Sequence, residues 1–537
     1  MTWLTWLLLI GYVLLSAALA KIFEKAGEDP KQAYIPIYNF VVVGKIVGRK
    51  SWHGWLMLVP VLNVFIFSAL MVDLARSFGR NSFKDDFLAV VASPFYFFWL
   101  GRQEEITYQG PILEKEREYL TRLEAARKGG SKREINKVER TNPIPRVWWR
   151  EWAESAIFAV FAATLIRLLF IEPYIIPTPS MEGSLMVGDF LFVSKAHYGL
   201  RLPETVLQLP LVHNRAPLVD GESYFEKPSL PYRRLPMIEN LDRYDPVVFN
   251  MPAGDSVYVF PDRVYTDTDY RTGMIAAANP RYARSIQTGR TKLVTRPRDK
   301  KDLYVKRAVG MPGDVLEIKE RDLYIDGEKL DNPSTIQFLY VVNFSTAPNT
   351  RGWGDVGIAD DDVAQSQGTT YIMYLSDAQV KYLQEGDPQA TIEHFDFDIP
   401  RFTGNRLYPH DAKNYGSWSN DNYGPIKIPA AGETIELTPE NISIYFRPIK
   451  VYEGNDVEMR DGKMVINGQV ADSYTFQQDY YWLMGDNRHN SEDSRVWGFV
   501  PFDHVVGKPL FIWFSIRENQ LSKGIEWNRI FKSASAD

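Results

Sequence analysis

The chain of 537 residues carries 61 Lys+Arg against 67 Asp+Glu, a formal net charge of −6, 45% hydrophobic residues and no cysteine. That length exceeds one compact domain, and the balanced charge offers no basic face for nucleic acid. The missing thiols exclude a disulfide framework, a cysteine nucleophile, an iron–sulfur cluster and a Cys-ligated zinc site.

The mean hydropathy of −0.25 averages two unlike parts. Trp3 to Ala20 has no charged residue and about the length that crosses a bilayer, ~17–25 residues. Ala18-Leu19-Ala20 has the form of a cleavage site, yet no positive charge precedes it and further apolar segments follow, so an uncleaved span is expected. Ala33 to Gly48 is apolar but contains Lys45, and reads as interfacial or re-entrant. Gly54 to Leu74 is a second span weakened by Pro60, Asn63 and Asp73. Phe87 to Leu100 is a third, short and broken by Pro94. A fourth runs from Glu154 to Ile171, with Arg167 near enough to its end to snorkel. The Lys- and Arg-rich stretches Lys21–Ser51 and Arg102–Arg150 are expected on the cytoplasmic side, the second holding a helix (ILEKEREYLTRLEAARK) that stops at Gly129-Gly130. Four spans then put the N-terminus and everything after Ile171 outside.

From Glu172 onward no apolar run is long enough to span. Short β-branched and aromatic runs take over: DFLFVSK, DPVVFNMP, DVLEIKERDLYIDGEKL, ISIYFRPIKVYEG and MVINGQV. Asp326-Gly327, Asp461-Gly462 and Asn467-Gly468 are hairpin signals between such runs. An all-β or β-dominated domain follows. Asn332 to about Glu440 is polar and loop-rich and reads as an insertion. Its Asp360-Asp361-Asp362 triplet has no EF-hand spacing and is read as a solvated loop, not a cation site.

Three segments carry chemistry. The first, Pro177-Thr178-Pro179-Ser180-Met181, holds a hydroxyl between prolines just beyond the fourth span. The second, Tyr304 to Asp314 (YVKRAVGMPGD), places Lys306 on a strand where burial, with Arg307 adding like charge, would lower its pKa. The third is the polar loop Gly485 to Arg495 (GDNRHNSEDSR), which follows an apolar run.

In this order the three segments, with Arg243-Tyr244-Asp245-Pro246-Val247-Val248-Phe249, resemble the boxes of bacterial type I signal peptidase, a membrane-anchored serine protease with a Ser/Lys dyad. The resemblance covers roughly Trp148 to Phe514 discontinuously, and GDNRHNSEDSRVWGFVP is its most specific part. It implies Ser180 as nucleophile, Lys306 as general base and Ser491 as the hydroxyl that orients the lysine. It also implies an oxyanion site from Thr178 and the Ser180 N–H, with Met181, Arg307, Gly485, Asp486, Asp493 and Arg495 structural. Pro179 departs from the glycine frequent in the family, without touching the Ser180 N–H. No metal or cofactor is implied. The implied substrates are preproteins with small residues at −1 and −3; the lipid bilayer is the other expected partner, with no nucleic acid. The N-terminal region, which the resemblance does not explain, is read as an extra anchor or as a domain that positions the enzyme or contacts the translocation machinery.

The expected layout is a multi-span membrane region (1–101), a charged cytoplasmic segment (102–150), an anchor (151–171), a catalytic core in two parts (172–331 and 476–537) and an inserted β/loop-rich subdomain (332–475). The implied location is the bacterial cytoplasmic membrane, multi-pass, with the catalytic domain on its outer face. A Ser-His-Asp hydrolase is disfavoured because no histidine or serine sits in a G-x-S-x-G context, and H-E-x-x-H is missing. The remaining alternative is a silent membrane-tethered β-domain that binds exported peptides.

Overall fold

The computed structural model describes residues 3–59, 62–129, 131–144, 148–205, 207–212, 214, 222–253, 256–260, 264–271, 273–396 and 407–534. Pro60 and Gly130, invoked above, lie outside them. The chain divides into two compact units, Met1–Phe161 and Ala162–Asp537.

The first unit is helical. Trp3–Ala26 forms one helix of 24 residues, whose Ala18, Leu19, Ile22 and Phe23 are fully buried. The Ala33–Gly48 segment becomes a helix at Tyr38–Val47, buried along most of its length and closed by Gly48 at φ 85°, a left-handed position that glycine adopts without cost. The second expected span is divided: short turns at Trp52–Trp55 and Leu56–Leu58 precede the helix Leu62–Ser77. The third falls across two helices, Phe83–Val91 and Ser93–Arg102, with Pro94 in the first turn of the latter, where no intrahelical donor is lost. The expected charged helix is found at Ile112–Gly129. Inside this unit Asp86 receives both Arg76 (2.5 Å) and Arg150 (2.7 Å), and Asp73 receives Arg49 (2.6 Å), so the buried charges are paired as burial demands. Among the described residues one helix, Trp148–Leu169, is long and apolar enough to cross a membrane.

The second unit is β-rich. Its main sheet has seven antiparallel strands in the order Ile171–Ile175, Asp189–Ser194, Val505–Ser515, Pro246–Asn250, Leu303–Gly310, Tyr480–Met484, Val500–Pro501. Tyr480–Met484 is buried at every residue, as its uniformly apolar sequence requires. A second sheet joins Val315–Lys319, Asp322–Ile325 and Glu328–Leu330 to Tyr423–Lys427. All three expected hairpin turns form: Asp326, Asp461 and Asn467 take φ near 51° and the glycines after them φ between 77° and 85°, the two left-handed residues of a type I′ turn.

Two expectations are corrected. ISIYFRPIKVYEG is not a strand: Ile442–Arg447 and Pro448–Tyr452 are helical. Its buried Ile442, Tyr445 and Ile449 follow the i, i+3, i+7 spacing of one helix face, and tertiary packing overrides the β-branched composition. The unit is also not all-β, because helices occur at Pro280–Gln287 and Asp377–Gly386. The latter packs near a four-stranded sheet ordered Val363–Gln367, Thr370–Leu375, Phe338–Asn343, Thr391–His394, with a core of its own around Val342, Met373 and Leu375.

Trp482 is the largest fully buried side chain, with the rings of Tyr423 and Phe499 at 5.5 and 5.6 Å. Trp482→Ala is expected to destabilise this unit by about 3–5 kcal/mol, read as a lowered denaturant midpoint; a loss under ~1 kcal/mol would show that Trp482 is not a keystone of the core.

Candidate active site

Backbone register brings the three chemical segments together. The edge strand Ile171–Ile175 ends at the short helical turn Pro179–Met181, which Pro179 enters at a position that suits its fixed φ. Thr178 just before it is extended, at φ −137° and ψ 151°. Met181 is fully buried and pins the turn from below, while Ser180 stays half-buried. Lys306 lies on the Leu303–Gly310 strand, opposite Val247 on one neighbour. Ser180 Oγ and Lys306 Nζ are hydrogen bonded at 2.5 Å.

Lys306 is almost completely buried, at 2% exposure. Burial pushes its amine down from the ordinary 10.5 to about 8, against the upward pull of Asp493, Glu492 and Asp486. The expected contribution of Arg307 is corrected. Successive strand residues face opposite ways, and Arg307 turns to the other side, where Asp486 binds it in a bidentate pair at 2.7 and 2.6 Å. The like charge that does act on Lys306 comes from Arg495.

The loop after Tyr480–Met484 is a cage of paired charges. Asp493 receives Arg495 at 2.9 and 2.8 Å and the Gly485 N–H at 3.1 Å, and it also caps the short helix Ser494–Trp497. Arg495 then donates to the Arg488 carbonyl (2.6 Å), and Arg488 to that of Gly485 (3.1 Å). Asn487 N–H donates to the Ser180 carbonyl at 3.2 Å, so this loop holds the serine turn directly. Ser184 hydroxyl donates to Asp486 at 2.6 Å, a second tie. A Cβ at Gly485 would stand 2.5 Å from the Ser180 carbonyl oxygen and collide with Ser491, so only glycine allows the approach.

Ser180, Lys306, Thr178 and Ser491 line one groove of about 800 Å³. Ser491 Oγ is buried with no hydrogen-bond partner among the described residues. The groove also takes in Val248, Tyr304 and His489, which lie within the motif segments without an assigned role, and Leu191 and Val264, which sequence reasoning did not single out. Val264 comes from an elaboration at residues 256–295 that carries no motif; the strand alternation around Lys306 was the available signal for Tyr304. His489 Nδ1 accepts the Leu339 N–H at 3.0 Å, so the ring proton sits on Nε2 and is donated to Asp421 at 2.6 Å. Burial lowers the pKa of that ring, against the upward pull of Asp421.

The acidic triplet is corrected in part. Asp360 and Asp361 are exposed, but Asp362 is buried, accepts the Ala359 N–H at 2.8 Å, and is pushed up to about 7 by burial. Glu182, two residues beyond Ser180, is likewise buried and pushed up to about 8, first by burial and then by Asp362. Among the described residues no cluster of three or more His, Asp or Glu forms a metal site.

The buried amine sets a stability cost with a definite sign. Its folded value lies below its unfolded one, so the cost is full below about 8 and is recovered as pH rises toward 10.5. Lys306→Met is therefore expected to be the more stable protein by about 3 kcal/mol at pH 7. The gap should narrow toward pH 10.5 in denaturant unfolding, and a gap independent of pH would contradict a depressed amine.

Comparison with known proteins places these features. The family model described as "Signal peptidase, peptidase S26" matches residues 149–339 and 430–514, together just over half of the chain. The model "Family of unknown function (DUF5684)" matches residues 31–111. The Signal peptidase I of Rickettsia massiliae is 22% identical over 370 residues, 68% of this chain and 80% of that protein. That of Haemophilus influenzae is 23% identical over 387 residues, 70% and 74% of the two chains. That of Buchnera aphidicola is 24% identical over 370 residues, 68% and 77%.

Proposed function

The chain belongs to the signal peptidase family, peptidase S26, and acts as a type I signal peptidase, a serine endopeptidase; from that premise we propose that Ser180 is its nucleophile and Lys306 its general base. The observation that carries the assignment is the 2.5 Å hydrogen bond between Ser180 Oγ and an amine buried to the point of titrating near 8. A serine hydroxyl attacks only when a base takes its proton, and a lysine is that base only when neutral. Lys306 meets the requirement close to physiological pH.

The chemistry follows in two halves. Lys306 takes the Ser180 proton as Oγ attacks the carbonyl carbon of the scissile bond. The resulting oxyanion is held by the Ser180 N–H and the Thr178 hydroxyl. The ammonium then protonates the departing amine nitrogen, leaving an acyl ester on Ser180. Lys306, neutral again, takes a proton from water as the water oxygen attacks the ester carbonyl, then gives that proton to Ser180 Oγ as the acyl–oxygen bond breaks and the acid product leaves. Ser491 lines the same groove, but its hydroxyl makes no hydrogen bond to Lys306 in this structure, so the proposed orienting role requires that hydroxyl to turn onto the amine during the transfers.

The substrate class is the signal peptide of an exported preprotein. Ile176, Leu191, Val248, Tyr304 and Val305 line the groove beside Ser180, and their bulk leaves room for small residues at −1 and −3. The apolar helix Trp148–Leu169 ends immediately before the strand that leads to Ser180, which supports a membrane anchor that keeps the serine near the bilayer surface. The location we propose is the bacterial cytoplasmic membrane, crossed several times, with catalysis on the outer face and the N-terminal region contacting the translocation machinery.

Ser180→Ala and Lys306→Ala are each expected to lower cleavage of a preprotein about 10⁴-fold or more, measured as processed product. Residual activity near wild type in both variants would sink the dyad, and a wild type that binds preprotein without cleaving it would favour a peptide-binding protein.

The wild-type kcat/KM should rise with pH along a limb centred near 8, where Lys306 loses its proton. A rate flat from acidic to strongly alkaline pH would exclude lysine as the base.

A further inference from the structure

A second cavity adjoins the catalytic groove across the shared walls Tyr174 and Leu303, where the Trp148–Leu169 helix hands over to the sheet. About 70 Å³ of space is lined by Arg167 from the helix's last turn and by Lys195, Arg201 and Lys300 from the β-rich unit. Two carboxylates, Glu172 and Asp299, share the same wall. Four cations against two anions leave a net charge of +2.

The pairing does not absorb that excess. Glu172 takes Arg167 and Lys195, each at 2.7 Å, and the Tyr174 hydroxyl at 2.5 Å. Asp299 accepts from Thr205, at its N–H (2.9 Å) and its hydroxyl (2.8 Å). Arg201 donates to the Asn250 side-chain oxygen (2.7 Å) and the Asp503 carbonyl (3.1 Å), while Lys300 donates to Gln208. Among the described residues neither cation has a carboxylate within ion-pair distance. Burial pushes Lys195 and Lys300 below the ordinary lysine value, against the upward pull of Glu172 on both and of Asp299 on Lys300, and neighbouring cations add a smaller downward push. Uncompensated buried charge of one sign is costly unless a counter-charge arrives.

The rim is chemically different from the floor. Leu209 and Leu211 line the opening with side chains about half exposed, and Leu207 beside them is equally exposed. Arg167 is fastened to this rim through the Leu211 carbonyl at 2.6 Å. A soluble anion would satisfy the floor and leave the leucines in water, whereas an amphiphile with an anionic head satisfies both. The cavity also sits at the end of the one described helix fit to cross a bilayer, the depth at which lipid headgroups lie.

We propose that this cavity binds the headgroup of an anionic phospholipid, its phosphodiester among Arg167, Lys195, Arg201 and Lys300 and its chains along the leucine rim. The site is independent of the serine–lysine chemistry, and its test does not read activity.

The full chain in neutral detergent would be exposed to phosphatidylglycerol, to phosphatidylcholine with the same chains, or to inorganic phosphate, and retained ligand counted by native mass spectrometry. Phosphatidylglycerol is expected to be retained about tenfold better than phosphatidylcholine. Lys300→Gln should remove most of that preference and Lys300→Arg should keep it. Thermal unfolding of both variants confirms that they fold, and Arg201→Gln, which also removes one charge from the cavity, serves if Lys300→Gln does not fold. Equal retention of the two lipids, or a preference unchanged in Lys300→Gln, would overturn the site. Retention of phosphate without phosphatidylglycerol would assign the cavity to a soluble anion and overturn the lipid.

Discussion

The burial of one amine governs the second unit. A lysine 2% exposed is unfavourable as a cation, and the fold tolerates it because everything around it is fixed. The strand that carries Lys306 is flanked by Pro246–Asn250 and by the wholly buried Tyr480–Met484. Neither neighbour can yield without opening the core. The nearby carboxylates Asp486 and Asp493 are each committed to an arginine, so they stabilise the ammonium from a distance without neutralising it by contact. A free carboxylate at hydrogen-bond distance would raise the lysine out of useful range. Burial lowers the pKa of the amine, and Arg307 and Arg495 hold two of the three nearby carboxylates off it.

The same cage sets position as well as charge. The Asn487 N–H on the Ser180 carbonyl, the Ser184 hydroxyl on Asp486 and the absent side chain of Gly485 all fix the serine turn against the loop. Precision at the 2.5 Å contact between serine and lysine therefore comes from contacts between segments distant in the chain, the side-chain bond of Ser184 to Asp486, 302 residues apart, and the backbone bond of Asn487 to Ser180.

Much of this was legible in the sequence because local rules decided it. Asp-Gly and Asn-Gly turns force two left-handed residues, and all three hairpins formed where they were read. The three chemical segments were recognisable only together, by the resemblance of their order and residues to one family, since each alone read as structural. What was missed had no local signal. Ile442, Tyr445 and Ile449 reveal their helical period only once the core that selects it is known. The direction of Arg307 follows from strand alternation, which was available and misapplied. Val264 reaches the groove from an elaboration with no motif, and Asp362 is buried by tertiary packing that an acidic triplet argues against. In the first unit, apolar composition alone did not separate a span from a core helix, and Tyr38–Val47 is buried among its neighbours.

The region between the two stretches matched by the family model, residues 339 to 430, has a consequence for how such chains diversify. Its first strand is sewn to the catalytic loop at the root: Gln337 N–H donates to the Asp486 carbonyl, Arg488 N–H to the Gln337 carbonyl, and Leu339 N–H to His489. Beyond that root the sheet Phe338–Asn343, Thr370–Leu375, Val363–Gln367 and Thr391–His394 closes on its own core. A graft of this kind has a fixed hinge-plate and a body, residues 344 to 396, tied elsewhere by the pair Asp360–Lys523 at 3.6 Å, whereas the segment from Leu407 returns to the main core through Tyr408 and Tyr423. Lineages can lengthen, trim or exchange the body without re-tuning the loop beneath it, whereas a change of one residue at the hinge-plate would travel straight into the scaffold of the serine. Variation in this protein's relatives should therefore be abundant in the body and scarce within a few residues of its point of entry.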